Sequence, residues 1–134
     1  MGTAALVLGV AAGLPAGHAG PQGGQVVGGS GSITTPDAAT TVVQQNSARM
    51  AIDWRSFDVA AGERVRFQQP SASAAVLNRV FNQLPSQIYG SIEANGQVFI
   101  MNPRGVVFGP GAVVDVGALF ASSLDIGVDD FMQG

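Results

Sequence analysis

Residues 95–123 read NGQVFIMNPRGVVFGPGAVVDVGALFASS, and their spacing decides the fold. Four times a glycine is followed, one residue later, by a pair of apolar residues. The instances are Gly96 before Val98-Phe99, Gly105 before Val107-Phe108, Gly111 before Val113-Val114, and Gly117 before Leu119-Phe120. The glycines therefore stand nine, six and six residues apart. Apolar segments that brief, each restarted by a glycine, are strands rather than helices. A bend every few residues winds a chain round the faces of a β-solenoid.

Upstream of this stretch the pattern is also that of strands. Thr40-Thr41-Val42-Val43 is β-branched throughout. From Ala48 to Trp54 the chain alternates, with Met50, Ile52 and Trp54 on one face and Arg49 and Asp53 on the other. Arg64 to Gln68 alternates again, Val65 and Phe67 inward, until Pro70 interrupts the ladder. Ala72 to Val80, ASAAVLNRV, suits a helix by propensity, but the strands on both sides of it favour a strand. Within it, Asn78 reads as a turn residue and Arg79 as a solvated cation. Phe81 to Pro85 is a loop, Gln87 to Ile92 a short strand pair broken at Gly90, and Asn95-Gly96 a strong turn signal.

The bulk composition agrees with a packed fold. The 134 residues suffice for one domain or a piece of one. Hydrophobic residues make up 46% and charged ones 11%, the reverse of a disordered chain. All six positive charges are arginine and the net charge is −3, which argues against nucleic acid as a partner. With no cysteine there are no disulfides, thiolate metal sites or cysteine nucleophiles; this suits a chain kept unfolded in an oxidising compartment, and equally a chance absence from a short chain.

Catalytic residues are equally scarce. The single histidine, His18, falls in a segment expected to be removed, which argues against a histidine-dependent acyltransferase of the hexapeptide-solenoid kind. The carboxylates Asp115, Asp125, Asp129 and Asp130 read as solvated charges. No acid–base or nucleophile constellation is visible. The expectation is a non-enzyme with no cofactor and no metal.

Ala4 to Leu14 is apolar but too short to span a bilayer, and Pro15 ends it. Gly17 and Ala19 supply the small residues of a peptidase site, so 1–19 reads as a signal peptide, although no Lys or Arg precedes the apolar run. Residues 20–32 read as a glycine-rich linker or first strand, and 33–134 as the solenoid. A chain stopping at Gly134 would leave an apolar rung uncovered, so the β-helix is expected to be incomplete at that end.

A family resemblance rests on particular pieces. These are Trp54 with Phe57, Val65 with Phe67, Gln69-Pro70-Ser71-Ala72-Ser73-Ala74, Val76-Leu77-Asn78-Arg79-Val80, and Ile88 with Gly90. Ala94-Asn95-Gly96, then Phe99 through Gly109, and finally Ala121 through Ile126 complete the set. In order and without large gaps, Ala48 to Ile126 resembles the amino-terminal secretion domain of the filamentous haemagglutinin family, the exoproteins of two-partner secretion. The resemblance implies an all-β, right-handed parallel β-helix. It also implies export through the periplasm to the cell surface or medium, with an outer-membrane barrel transporter as partner. Host-cell surface or carbohydrate binding would belong to a missing C-terminal passenger. For site residues it implies Asn78 and the turn Asn102, Pro103, Arg104 and Gly105, as transporter recognition, rung turn or both. The family's Asn-Pro-Asn-Gly is altered here by Arg104. An independent secreted carbohydrate- or haem-binding solenoid is the alternative reading.

Overall fold

A computed structural model describes residues 20–134; the expected leader, His18 included, lies outside the described residues. Twelve strands and one short helix follow in order. They are β1 Gln25–Gly28, β2 Gly31–Asp37, β3 Thr40–Gln45, β4 Arg49–Trp54, β5 Arg64–Gln68 and β6 Ala75–Val80. Then come β7 Ser86–Ile88, β8 Ser91–Ala94, β9 Gln97–Met101, β10 Val106–Phe108, β11 Val113–Asp115, β12 Ala118–Ser122 and α1 Val128–Gln133. They wind into three sheets. The first runs β1-β4-β6-β9-β12, the second pairs β10 with β7, and the third runs β11-β8-β5-β3-β2.

From β3 onward all pairing is parallel, so the chain is a β-solenoid of four stacked passes through the first sheet, β4, β6, β9 and β12. Ala75 stands beside Gln97 and Gln97 beside Ala118, so the rung repeats after 22 and then 21 residues. Gly96, Gly105 and Gly111 open the three faces of one rung, and Gly117 opens the next. The repeat thus has two physical origins. Gly105 and Gly111 turn with φ of 102° and 83°, where a side chain is strained. Gly96 and Gly117 instead lie under a neighbouring rung, where an added Cβ would meet the Ala74 carbonyl at 2.6 Å and the Gly96 carbonyl at 2.8 Å.

Alternation along each strand divides inside from outside. Met50, Val76, Val98 and Leu119 form one interior column of the first sheet, and Thr41, Val65, Ile92 and Val114 form one of the third. Met50, Val76, Val98, Val65 and Ile92 build the core with Trp54, Phe57, Phe67 and Ile88, Leu119 packs against it, and Val114 ends its column exposed. ASAAVLNRV becomes strand β6 from Ala75 because its buried Val76 and Val80 alternate into that core, and this outweighs its helical propensity.

The start of the solenoid is closed by reversal. β1 pairs antiparallel with β4, and β2 antiparallel with β3, so neither continues the parallel stack. Pro36 lies on the outer strand β2, where it removes one edge donor. At the other end Val107, Phe108, Val113, Val114 and Phe120, on the terminal strands β10, β11 and β12, are exposed. The tail, read from sequence as a solvated Asp129-Asp130 segment, forms α1. Those two carboxylates do stay exposed in its first turn, while Phe131 is buried. The helix lies on the outer face of the first sheet, against Ala51, Leu77, Phe99 and Met101.

Candidate functional site

The turn after β9 joins three rungs. Asn102 is fully buried, and its backbone N–H donates to Ser122 O of the last rung at 3.0 Å. Its Nδ2 donates to Leu84 O at 3.2 Å and Ser86 Oγ at 3.0 Å on the preceding rung. Its Oδ1 accepts the Arg104 N–H at 2.9 Å, while its carbonyl accepts the Gly105 N–H at 2.8 Å. An asparagine side chain supplies one acceptor and two donors, and here all find partners. Arg104 in place of a second asparagine is accommodated because the positive φ falls on Gly105. Pro103 and Arg104 point out to solvent.

Asn78 is not part of that turn. The sequence reading makes it a turn residue; the structure places it mid-strand in β6, fully buried, between Ile52 and Ile100 in an interior column. Its Oδ1 accepts the Trp54 indole N–H at 2.9 Å and its Nδ2 donates to Phe99 O at 3.1 Å. A polar group so buried is tolerated because it is bonded. The partner stands 24 residues away in sequence, so no local signal reveals it.

Arg79 likewise departs from the solvated cation expected. Its guanidinium makes a two-pronged pair with Asp53, Nε to Oδ1 at 2.8 Å and Nη2 to Oδ2 at 3.0 Å. The hydrogen bond to Asp53 raises its pKa above the ordinary arginine value despite some desolvation. The same guanidinium lies 5.1 Å from the centre of the Phe81 ring.

Sequence reasoning missed a polar spine at the corner between the third and first sheets. Gln45 Nε2 donates to Ser47 O and Ala75 O, and Gln69 Nε2 donates to Gln45 Oε1 and Gln97 O. The Gly96 N–H donates to Gln69 Oε1, and Asn95 exchanges two bonds with the Gln69 backbone. Its trace in the sequence is a glutamine pair at the ends of two neighbouring strands of the third sheet, Gln44-Gln45 closing β3 and Gln68-Gln69 at and just past the end of β5. Among the described residues no three His, Cys, Asp or Glu side chains converge, and no helix is long and apolar enough to cross a membrane.

Residues 17–134 match the family model described as the TPS secretion domain. The chain belongs to the TPS, or two-partner secretion, family of secretion domains. This secretion domain is 40% and 38% identical over 106 residues to two proteins of Haemophilus influenzae, each described as a heme/hemopexin-binding protein. Those alignments take in 79% of the chain but only 12% and 11% of the relatives' length. The crystal structure of the HMW1 secretion domain from Haemophilus influenzae superposes with a TM-score of 0.79 at 33% identity, over 85% of this chain and 30% of that one. The β-solenoid is therefore the secretion-domain fold. The family is one of exported exoprotein modules that work with an outer-membrane transporter, rather than a family of enzymes.

Proposed function

We propose that this secretion domain is the front module of a larger exoprotein, that the transporter recognises it, and that its folding outside the cell drives export. One observation carries the reading. The first rung is closed by antiparallel β1 and β2, whereas every later rung adds in parallel register, so the stack grows in one direction only. A lone rung cannot offset its ordering entropy, whereas a rung laid on a finished one finds its ladder and core waiting. Chain emerging from the transporter would be captured rung by rung and could not slip back.

In this proposal residues 1–19 direct passage to the periplasm, 20–32 lead into the first strand, and 33–134 form the nucleus. Asn102 and Asn78 act through the fold, because they are buried, and Pro103 and Arg104 are the members of the motif able to touch a partner. Coexpression with the transporter tests this by measuring extracellular protein for variants of graded stability, Asn102→Ala, Asn78→Val and Gly96→Ala. Export is expected to fall in step with the unfolding midpoint. Export indifferent to stability, or a wild-type chain that is unfolded once outside, would refute it.

The relatives' names favour a second, additional reading, that the longer protein carrying this module binds haem or hemopexin. Haem titration of the purified chain is expected to leave the Soret band at its free-haem position, with the shift appearing only in the longer protein. Saturable binding by this chain alone would place that activity here instead.

A further inference from the structure

Asn95-Gly96 reads in the sequence as a turn, and it is also the one asparagine–glycine pair of the chain. A backbone nitrogen that follows an asparagine can attack the carbon of its carboxamide, and glycine, with no Cβ, hinders that attack least. The other asparagines are followed by Ser47, Arg79, Gln83 and Pro103. The first three of these carry hindering side chains, and Pro103 has no N–H to lose. No aspartate precedes a glycine either.

The fold closes this reaction off. The Gly96 N–H donates to Gln69 Oε1 at 2.7 Å in a buried contact. Asn95 Oδ1 accepts the Gln69 N–H at 2.8 Å, and Asn95 Nδ2 donates to Gln69 O at 2.7 Å. Attack requires all three bonds to break, since the nitrogen must shed its proton and the carboxamide must swing over it. Asn95 itself is exposed, so its protection lies in these bonds rather than in burial. Gly96 is buried and has no room to move: Ala74 O lies 2.6 Å from where a Cβ would stand, and the Gly117 N–H donates to Gly96 O at 2.9 Å. Gln69 stands 26 residues before Asn95, so the cage exists only once two successive rungs have stacked.

We propose that Asn95-Gly96 is a self-modification site gated by folding, silent in the finished solenoid and reactive in the unfolded chain. The Gly96 nitrogen bonds to Asn95 Cγ as its proton leaves, the Cγ–Nδ2 bond breaks, and ammonia departs. Water then opens the cyclic imide. Opening at Cγ leaves an aspartate; opening at the main-chain carbonyl leaves an isoaspartate, whose backbone runs through the former side chain. One carboxamide and one water thus become a carboxylate and ammonium, with no oxidant or reductant. Neither product fits the cage. Aspartate turns an oxygen toward Gln69 O where Nδ2 now donates, leaving two acceptors face to face. Isoaspartate adds a carbon to the chain just before Gly96, which cannot shift beneath Ala74. A chain detained unfolded on its way out is thereby marked where the polar spine is assembled. That consequence rests on the export reading above; the chemistry does not.

The test holds the purified chain in mildly alkaline buffer across a urea series spanning its unfolding midpoint, then reads each asparagine by mass-spectrometric peptide mapping. Above the midpoint Asn95 is expected to convert faster than Asn46 and Asn82 in the same digest. Without urea its rate should fall at least about tenfold, tracking the unfolded fraction seen by circular dichroism. Gln69→Ala, compared with wild type at equal unfolded fraction, should convert faster because part of the cage is gone. The converted chain, separated by its added negative charge on ion exchange, should unfold at lower urea than its parent. Conversion as fast in the folded chain as in urea, or no faster at Asn95 than at Asn82 once unfolded, would overturn the proposal. Gated conversion in a chain whose export is indifferent to stability would refute the export reading and leave this site standing.

Discussion

The buried pair Trp54–Asn78 allows a sharp test of how a polar side chain survives inside this solenoid. Asn78→Val keeps a strand-favouring side chain of similar bulk between Ile52 and Ile100. It leaves the Trp54 indole N–H stranded in an apolar interior, at about 1–3 kcal/mol, and removes the bond to Phe99 O, at about 1 kcal/mol. The added apolar surface returns about 1 kcal/mol, so the net loss should be roughly 1–3 kcal/mol. Trp54→Phe strands the Asn78 carbonyl and leaves a small cavity, for about 2–3 kcal/mol. In the double variant neither group is stranded, so its cost should fall short of the sum by about 1–2 kcal/mol. Urea unfolding of residues 20–134, followed by far-ultraviolet circular dichroism, measures all four corners of the cycle. If the two losses simply add, to within about 0.5 kcal/mol, the indole–amide bond is not what makes Asn78 tolerable, and the reasoning fails.

Further outcomes follow from other contacts. Gly96→Ala should destabilise by more than about 2 kcal/mol, because the Cβ would meet Ala74 O at 2.6 Å and the Gln69 carboxamide at 2.9 Å; a midpoint unchanged in calorimetry would contradict it. Phe131→Ala should cost about 2–4 kcal/mol and loosen α1, read as faster hydrogen exchange at Ala51 and Leu77 beneath it. Arg79→Met should cost about 1 kcal/mol after allowance for solvent screening. The folded pKa of Arg79 is raised, so its contribution is complete below the ordinary arginine value and lost only as pH climbs past it. The loss in Arg79→Met should thus be equal at pH 6 and pH 9, and a difference between them would implicate another group.

The parts of the fold written in local sequence were legible, and those that depend on distant partners were not. Gly96 to Gly117 spells one circuit because each face needs its own bend and each bend leaves a glycine or proline. Alternation in β4 and β5 fixes inside and outside without reference to any other strand. Asn78 misleads because an asparagine beside Arg79 reads as a turn residue, and only the neighbouring rung supplies the indole that satisfies it. The helix α1 is six residues long, and its one buried side chain gives no periodicity to read. Asn102 was legible as a turn because its bond to the Arg104 N–H is local; its hold on Leu84 and Ser86 was not.

Stacks of repeats ordinarily melt from their tips, since a terminal unit has a neighbour on one side only. Here the last element returns to the start of the solenoid: Val128 and Met132 of α1 lie against Gly28 of β1, and the Arg49 guanidinium of β4 donates to Phe131 O across 82 residues of sequence at 2.5 Å and covers its ring. Such a clasp ties the two extremities into a loop, so that neither can peel away without breaking the other's packing. Fraying at either tip is thereby exchanged for melting of the whole stack together.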